Sequence, residues 1–336
     1  MPKLTARTIS FRPGERNIFF HLLTACNLAC AHCYINREQH GSGMVSKQQL
    51  EDWLSLFLAP GQENNLIFLG GEPTMHPDLA HGVKTARRLG YDSITIDSNG
   101  FLFNDILTRI APEEAVLSFS LDGPDPLVND PIRGQGVFAT CTANLKKAKA
   151  MGFRTSLICT VSSRNLAALH RMPDLVAELG VDRFFIQVIG IRGKSAASGQ
   201  SDLQLTPEQW LDAVPLAAEQ AARHGITVVY PKVFLEPTDL FQCAGRVAEN
   251  FFIFPNGRVY QCPLCEDLPI NTFRIEAGRL LKNQGLVEEK FFSLDIPEGC
   301  VMNKLLQPGN LRYDANGKPL HRISCCLLKQ ELRLQD

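Results

Sequence analysis

The segment Asn17-Ile-Phe-Phe-His21-Leu-Leu-Thr24-Ala-Cys26-Asn-Leu-Ala-Cys30-Ala-His32-Cys33-Tyr34 joins a short apolar run to a loop holding three cysteines in the spacing C-x3-C-x2-C. The run, Ile18 to Leu23, reads as a strand, and short apolar strands set between amphipathic stretches belong to parallel sheets. Thiolates so close in sequence can wrap one metal centre. Three protein ligands on a cubane of four irons leave one iron open to an exogenous group. The residues alone keep two alternatives: a zinc site completed by His32, or a turn that happens to be cysteine-rich.

Outward from this segment the same pattern repeats. Strands are predicted at Leu66 to Leu69, Ser93 to Asp97, Ala115 to Leu121, Arg154 to Val161 and Arg183 to Val188. Helices are predicted from Ser46 to Leu58, Pro77 to Leu89, Asn104 to Ile110, Gly136 to Met151, Asn165 to Leu179 and Pro207 to Arg223. Ser46 can cap the first, Thr206-Pro207 can open the last, and Gly90, Gly152 and Gly180 suit left-handed caps. Six such units with right-handed crossovers give an α/β fold, a partial (βα)6 TIM-like barrel. After Pro237 the sequence turns irregular and rich in Cys, Pro, Asn and Gly, with a β-hairpin at Phe251 to Phe254 and Arg258 to Gln261. A two-residue turn at Asn256-Gly257 would place Phe251 opposite Cys262. The expected division is an extension at 1–17, the barrel at 18–235 and a small irregular Cys-rich domain at 236–336.

The 34 basic and 35 acidic residues of the 336 leave a net charge of -1, so no global field draws nucleic acid or an anionic membrane. The amino terminus lacks the apolar core of a secretory signal and no run of about 18 apolar residues occurs, which points to a cytoplasmic protein. Eleven cysteines in such a chain suggest metal ligation or thiol chemistry; six lie beyond position 240. Cys141 and Cys159 fall inside a helix and a strand and read as core.

The strand ends carry the remaining chemistry. Gly70-Gly71-Glu72-Pro73 follows the second strand: paired glycines let a ligand approach the backbone, and a carboxylate can accept from an ammonium. Asp97-Ser98-Asn99-Gly100 ends the third, and Ser118-Phe-Ser120-Leu-Asp122-Gly123 the fourth. Ile132-Arg133-Gly134 offers a fork-shaped cation. Taken together in this order, from about Ile18 to Gly190, these motifs resemble the radical SAM superfamily.

The resemblance implies that Cys26, Cys30 and Cys33 ligate a [4Fe-4S] cluster whose open iron chelates S-adenosylmethionine. It further implies that Gly70, Gly71 and Glu72 hold the amino group. Ser98, Asn99 and Ser120 would serve the carboxylate and ribose, with Asp122 nearby. Tyr34 would lie against the adenine, and Arg133 would pair a carboxylate. An external donor such as a flavodoxin or ferredoxin would reduce the cluster, and a 5′-deoxyadenosyl radical would abstract hydrogen.

Cys243, the hairpin and Cys262-Pro-Leu-Cys265 look like the opening of the SPASM or Twitch extensions of that superfamily, without their dense later cysteines. One auxiliary [4Fe-4S] cluster is expected on Cys243, Cys262 and Cys265, its fourth ligand drawn from Cys300, Cys325 or Cys326, with zinc the alternative. A peptide or protein is the expected substrate, although 17 residues before the first strand are few for a leader-recognition domain. A small molecule of cofactor biosynthesis is the second reading, and a metal-binding redox sensor without turnover the third.

Overall fold

Alternate side chains of each barrel strand go to opposite faces, and both faces are covered. In the strand before the cysteine loop, Ile18 and Phe20 are packed under the helices, whereas Asn17 and Phe19 stand half-buried toward the lumen. The structure, a computed structural model, describes residues 3–196, 203–236 and 238–335; Pro237, where the sequence changes character, lies outside them.

Fifteen strands are described. They are β1 (Leu4–Ile9), β2 (Glu15–His21), β3 (Glu63–Leu69), β4 (Ser93–Ser98), β5 (Val116–Ser120), β6 (Thr155–Val161), β7 (Arg183–Val188) and β8 (Thr227–Pro231). Then come β9 (Phe234–Leu235), β10 (Glu249–Ile253), β11 (Arg258–Tyr260), β12 (Phe273–Glu276), β13 (Arg279–Lys282), β14 (Arg322–Ile323) and β15 (Lys329–Leu334). The six predicted strands are β2 to β7, paired in parallel and in chain order, with helices crossing between them. The fold is the expected open α/β barrel with a carboxy-terminal cysteine-bearing region.

The sheet is longer than the six predicted units. β8 joins β7 in parallel after the helix Pro207–Arg223, and β10 joins the other edge, parallel to β2. The hairpin of the carboxy-terminal region therefore continues the barrel sheet. Phe252 stacks on its cross-strand partner Phe19 at 4.4 Å and 6° between planes. The run Phe251–Phe254 is apolar throughout because both its faces are covered, and all four residues are buried. At the far edge β15 runs antiparallel to β8, and β1 antiparallel to β15, so the amino-terminal extension is tied to the barrel.

Local chemistry explains the boundaries. Ser46 and Thr206 each form a capping box with the glutamine three residues on, starting Lys47–Phe57 and Pro207–Arg223. Gly90 and Gly180 end their helices at φ +93 and +62. Asn165 to Leu179 is not one helix: a 3-10 stretch Leu166–Arg171 precedes Met172–Leu179, and Pro173 lacks the N–H that would continue the earlier turn. The helix expected from Asn104 shortens to Ile106–Arg109. The hairpin register also differs. Phe252 faces Tyr260, because the loop is the three residues 255–257 with Gly257 at φ +81, one more than a two-residue turn needs. Among the described residues no helix is long and apolar enough to cross a membrane.

Candidate active site

The loops after β2, β3, β4 and β5 meet at one rim. The Leu23 carbonyl accepts from Gly71 N–H at 2.8 Å and that of Ala25 from Glu72 N–H at 3.0 Å, clamping the start of the cysteine loop. A Cβ on Gly71 would lie 2.1 Å from the Ala25 oxygen, and one on Gly70 2.6 Å from that of Leu23. What fills the space of the missing side chains is thus the chain's own cysteine loop.

Glu72 is tied into the same rim. It is fully buried and accepts four hydrogen bonds: from Thr74 N–H at 3.0 Å, Thr74 Oγ1 at 2.7 Å, Ser98 Oγ at 2.9 Å and Asn99 N–H at 2.8 Å. Burial pushes its pKa up, and these bonds oppose the shift. Three of these bonds reach Oε1 and one reaches Oε2, so the carboxylate welds the loops after β3 and β4 together. Asn99 reaches back from that weld, donating from Nδ2 to Asn27 Oδ1 at 2.9 Å and to Cys26 Sγ at 3.6 Å. Ser98 Oγ also accepts from Gly100 N–H at 3.0 Å, while Ser120 remains half-buried at the rim.

A second buried carboxylate braces the loop from the other side. Asp122 Oδ2 lies 2.6 Å from His32 Nε2 and 2.6 Å from Arg133 Nε, and Oδ1 accepts from Thr160 N–H at 2.8 Å. Burial alone would raise this acid, but Arg133 and His32 hold it well below the usual carboxylate range. The helix Pro126–Arg133, capped by Asp125 on Val128 N–H at 3.1 Å, delivers Arg133, and the Ile132 carbonyl accepts from Ala31 N–H at 2.8 Å. Arg133 is buried with Nε beside Asp122, and that Nε has no well-directed hydrogen-bond partner among the described residues. His32 likewise turns Nε2 away from the thiols. Tyr34 donates to His21 Nε2 at 2.8 Å and lies 4.7 Å beneath Arg192, a residue that belongs to no motif legible in the sequence. Arg192 in turn pairs with buried Glu266 of the carboxy-terminal region.

That region gathers thiols from separate segments into one recess. Cys243, Cys262, Cys300, Cys325 and Cys326 line it, with Phe241, Phe291, Phe292 and Met302. β14 on β9 brings Cys325 in, and Cys300 N–H donates to the Ile323 carbonyl at 3.1 Å. Burial pushes Cys243 up to about 12, and the charges of Cys243, Cys262, Cys300 and Cys325 act on one another. Cys265 is buried beside them, its N–H donating to the Cys262 carbonyl at 3.0 Å.

A match to the Radical SAM superfamily spans residues 21–176, from the end of β2 to the helix after β6. This stretch is a radical SAM domain. The mycofactocin maturase MftC of Mycobacterium ulcerans is 29% identical over 268 residues, covering 73% of this chain and 67% of that protein. The Fe-coproporphyrin III synthase of Methanosarcina barkeri is 27% identical over 66% of this chain and 55% of its own length. Streptococcus suis SuiB bound to its precursor peptide SuiA shares the fold, with a TM-score of 0.63 at 15% identity, over 79% of this chain and 62% of that one. The chain thus spans about half to two thirds of the length of these relatives.

Radical SAM domains bind a [4Fe-4S] cluster and S-adenosylmethionine, and the residues at this rim fit that pair. Cys26, Cys30 and Cys33 are unpaired and partly buried. Burial above all, then repulsion from Glu72 and the neighbouring thiols, pushes Cys26 up to about 11; Cys30 is raised by burial too. A cationic centre reverses that preference by holding thiolates. Leu28 N–H donates to Cys26 Sγ at 3.4 Å, and Asn27 Nδ2 beside it is a buried donor without a partner among the described residues. With His32 held by Asp122, the donor set among the described residues is three thiols, which suits a cubane with one open iron better than tetrahedral zinc.

Proposed function

We propose that this chain is a radical SAM enzyme that modifies a peptide or protein. The observation that carries the reading is the three-thiol loop at the barrel rim, clamped by two buried carboxylates, with no fourth protein ligand beside it among the described residues. Bound there, the cluster would supply the electron that cleaves S-adenosylmethionine to a 5′-deoxyadenosyl radical. Cys26, Cys30 and Cys33 hold the metal; Glu72 and Asp122 fix the loop through Asn99, Arg133 and His32 rather than touching the nucleoside. The carbonyls of Gly70 and Gly71, the Ser120 hydroxyl and the Tyr34 ring remain the groups offered to S-adenosylmethionine.

The carboxy-terminal recess is assigned one auxiliary [4Fe-4S] cluster on Cys243, Cys262, Cys300 and Cys325. On this reading the chain divides by role near residue 236, although its sheet is continuous. Peptide modification is supported by the similarity to a maturase over 73% of the chain; a tetrapyrrole-type small molecule is the second reading, supported by the synthase similarity. An external ferredoxin or flavodoxin would deliver the electron, and a reducing compartment such as the cytoplasm suits eleven free cysteines.

The test is anaerobic reconstitution followed by mass spectrometry of the products formed with dithionite. 5′-Deoxyadenosine is expected from the wild type and background only from Cys30→Ala. Equal product from both would refute the assignment.

A further inference from the structure

The lumen face of β15 carries two charges of opposite fate. Glu331, buried toward the closed end, is held by Arg7 at 2.7 Å and Arg183 at 3.8 Å. Two residues nearer the rim, on the same face, Lys329 stands opposite Pro231, the last residue of β8. Its ammonium lies 4.7 Å over the Phe185 ring of β7 and donates to the Cys326 carbonyl at 3.1 Å. Among the described residues no carboxylate pairs with it.

We propose that Lys329 determines specificity by binding a carboxylate of the substrate inside the barrel; this rests on the reading of the chain as a radical SAM enzyme acting on a peptide. An ammonium has three donors, and the Cys326 carbonyl takes one. A partly buried ammonium without a carboxylate partner is costly, the nearest groups able to carry opposite charge being the Cys325 and Cys326 thiols, and a ligand carboxylate relieves that cost through a charge-assisted hydrogen bond. Phe185 holds the cation in place from one side without neutralising it. A second lumen acid, Asp97 of β4, stands on the opposite wall bonded to Ser118, and burial pushes it up to about 6. Among the described residues Lys329 thus stands at the rim without a carboxylate partner, on the wall that adjoins the thiol recess through Cys325 and Cys326. The chemistry it recognises is a carboxylate, from either a peptide's free carboxy terminus or an Asp or Glu side chain.

Three pools of short random peptides distinguish these sources when equilibrated with the full-length, reconstituted, S-adenosylmethionine-loaded protein and measured by ultrafiltration and mass spectrometry. One pool has free carboxy termini and no acidic residue, the second amidated termini and a single Glu, the third amidated termini and no acid. The wild type is expected to retain one of the carboxylate pools about tenfold over the third. Lys329→Met should erase the preference, and Lys329→Arg should keep most of it. Equal retention of the three pools by the wild type, or an intact preference in Lys329→Met, overturns the proposal; should that variant fail to fold, Lys329→Gln takes its place under the same criterion. Dithionite-driven 5′-deoxyadenosine is measured in the same samples. Its formation without any pool preference sinks the Lys329 assignment alone, and its absence sinks the radical reading.

Discussion

The two thiol centres are built in opposite ways. The first takes its three cysteines from one eight-residue stretch, Cys26 to Cys33, and braces them with polar side chains from three other loops. The second collects single cysteines and one Cys262–Cys265 turn from segments more than 80 residues apart and sets them among phenylalanines, with Glu288 accepting from Cys262 N–H at 3.0 Å. A local loop needs only bracing to present its ligands, because little chain entropy separates them. A dispersed set must be brought together by the fold, so metal binding there is coupled to folding of the whole region.

The largest effect that would break this contrast concerns metal content. Cys300→Ala is expected to lower reconstituted iron from about eight to about four per chain, whereas Cys265→Ala keeps about eight. Iron and sulfide analysis decides it: loss in Cys265→Ala with retention in Cys300→Ala would restore the trio suggested by spacing. At the first centre, Glu72→Gln places an amide N–H against donors of the chain and should cost about 3 kcal/mol by chemical denaturation, with no change in iron at the recess. A loss below about 1 kcal/mol would mean that Glu72 does not weld the loops.

The smallest effect probes the seam between the centres, where His21 and His40 stack on Phe254 at 4.1 and 3.9 Å. Burial pushes His40 down to about 4, so the folded form keeps it neutral while the unfolded chain protonates near 6.5. The unfolded state binds more protons between these values, so stability is present above about pH 6.5 and is lost as pH falls toward 4. His40 should contribute a loss of about 0.7 kcal/mol between pH 7 and pH 6, absent in His40→Gln. Parallel pH profiles of unfolding for the two proteins would contradict this.

Sequence alone was sufficient for what is local. The C-x3-C-x2-C spacing, the six strands β2 to β7, the capping boxes at Ser46 and Thr206, and the rim motifs were legible because each depends on neighbours within a few residues. Tertiary structure decided what those residues do. Glu72 and Arg133 look like ligand-binding charges until the four donors of the first and the Asp122 partner of the second are seen. Likewise β10 reads as half of an isolated hairpin, and only its pairing with β2, more than 230 residues earlier, makes it part of the barrel. Lys329 carries no motif at all; it matters through Phe185 and through the absence of the arginines that hold Glu331. The physical reason is common to all four. A side chain's chemistry is set by its own covalent structure, but whether that chemistry is satisfied or still available depends on partners that the chain brings from far away.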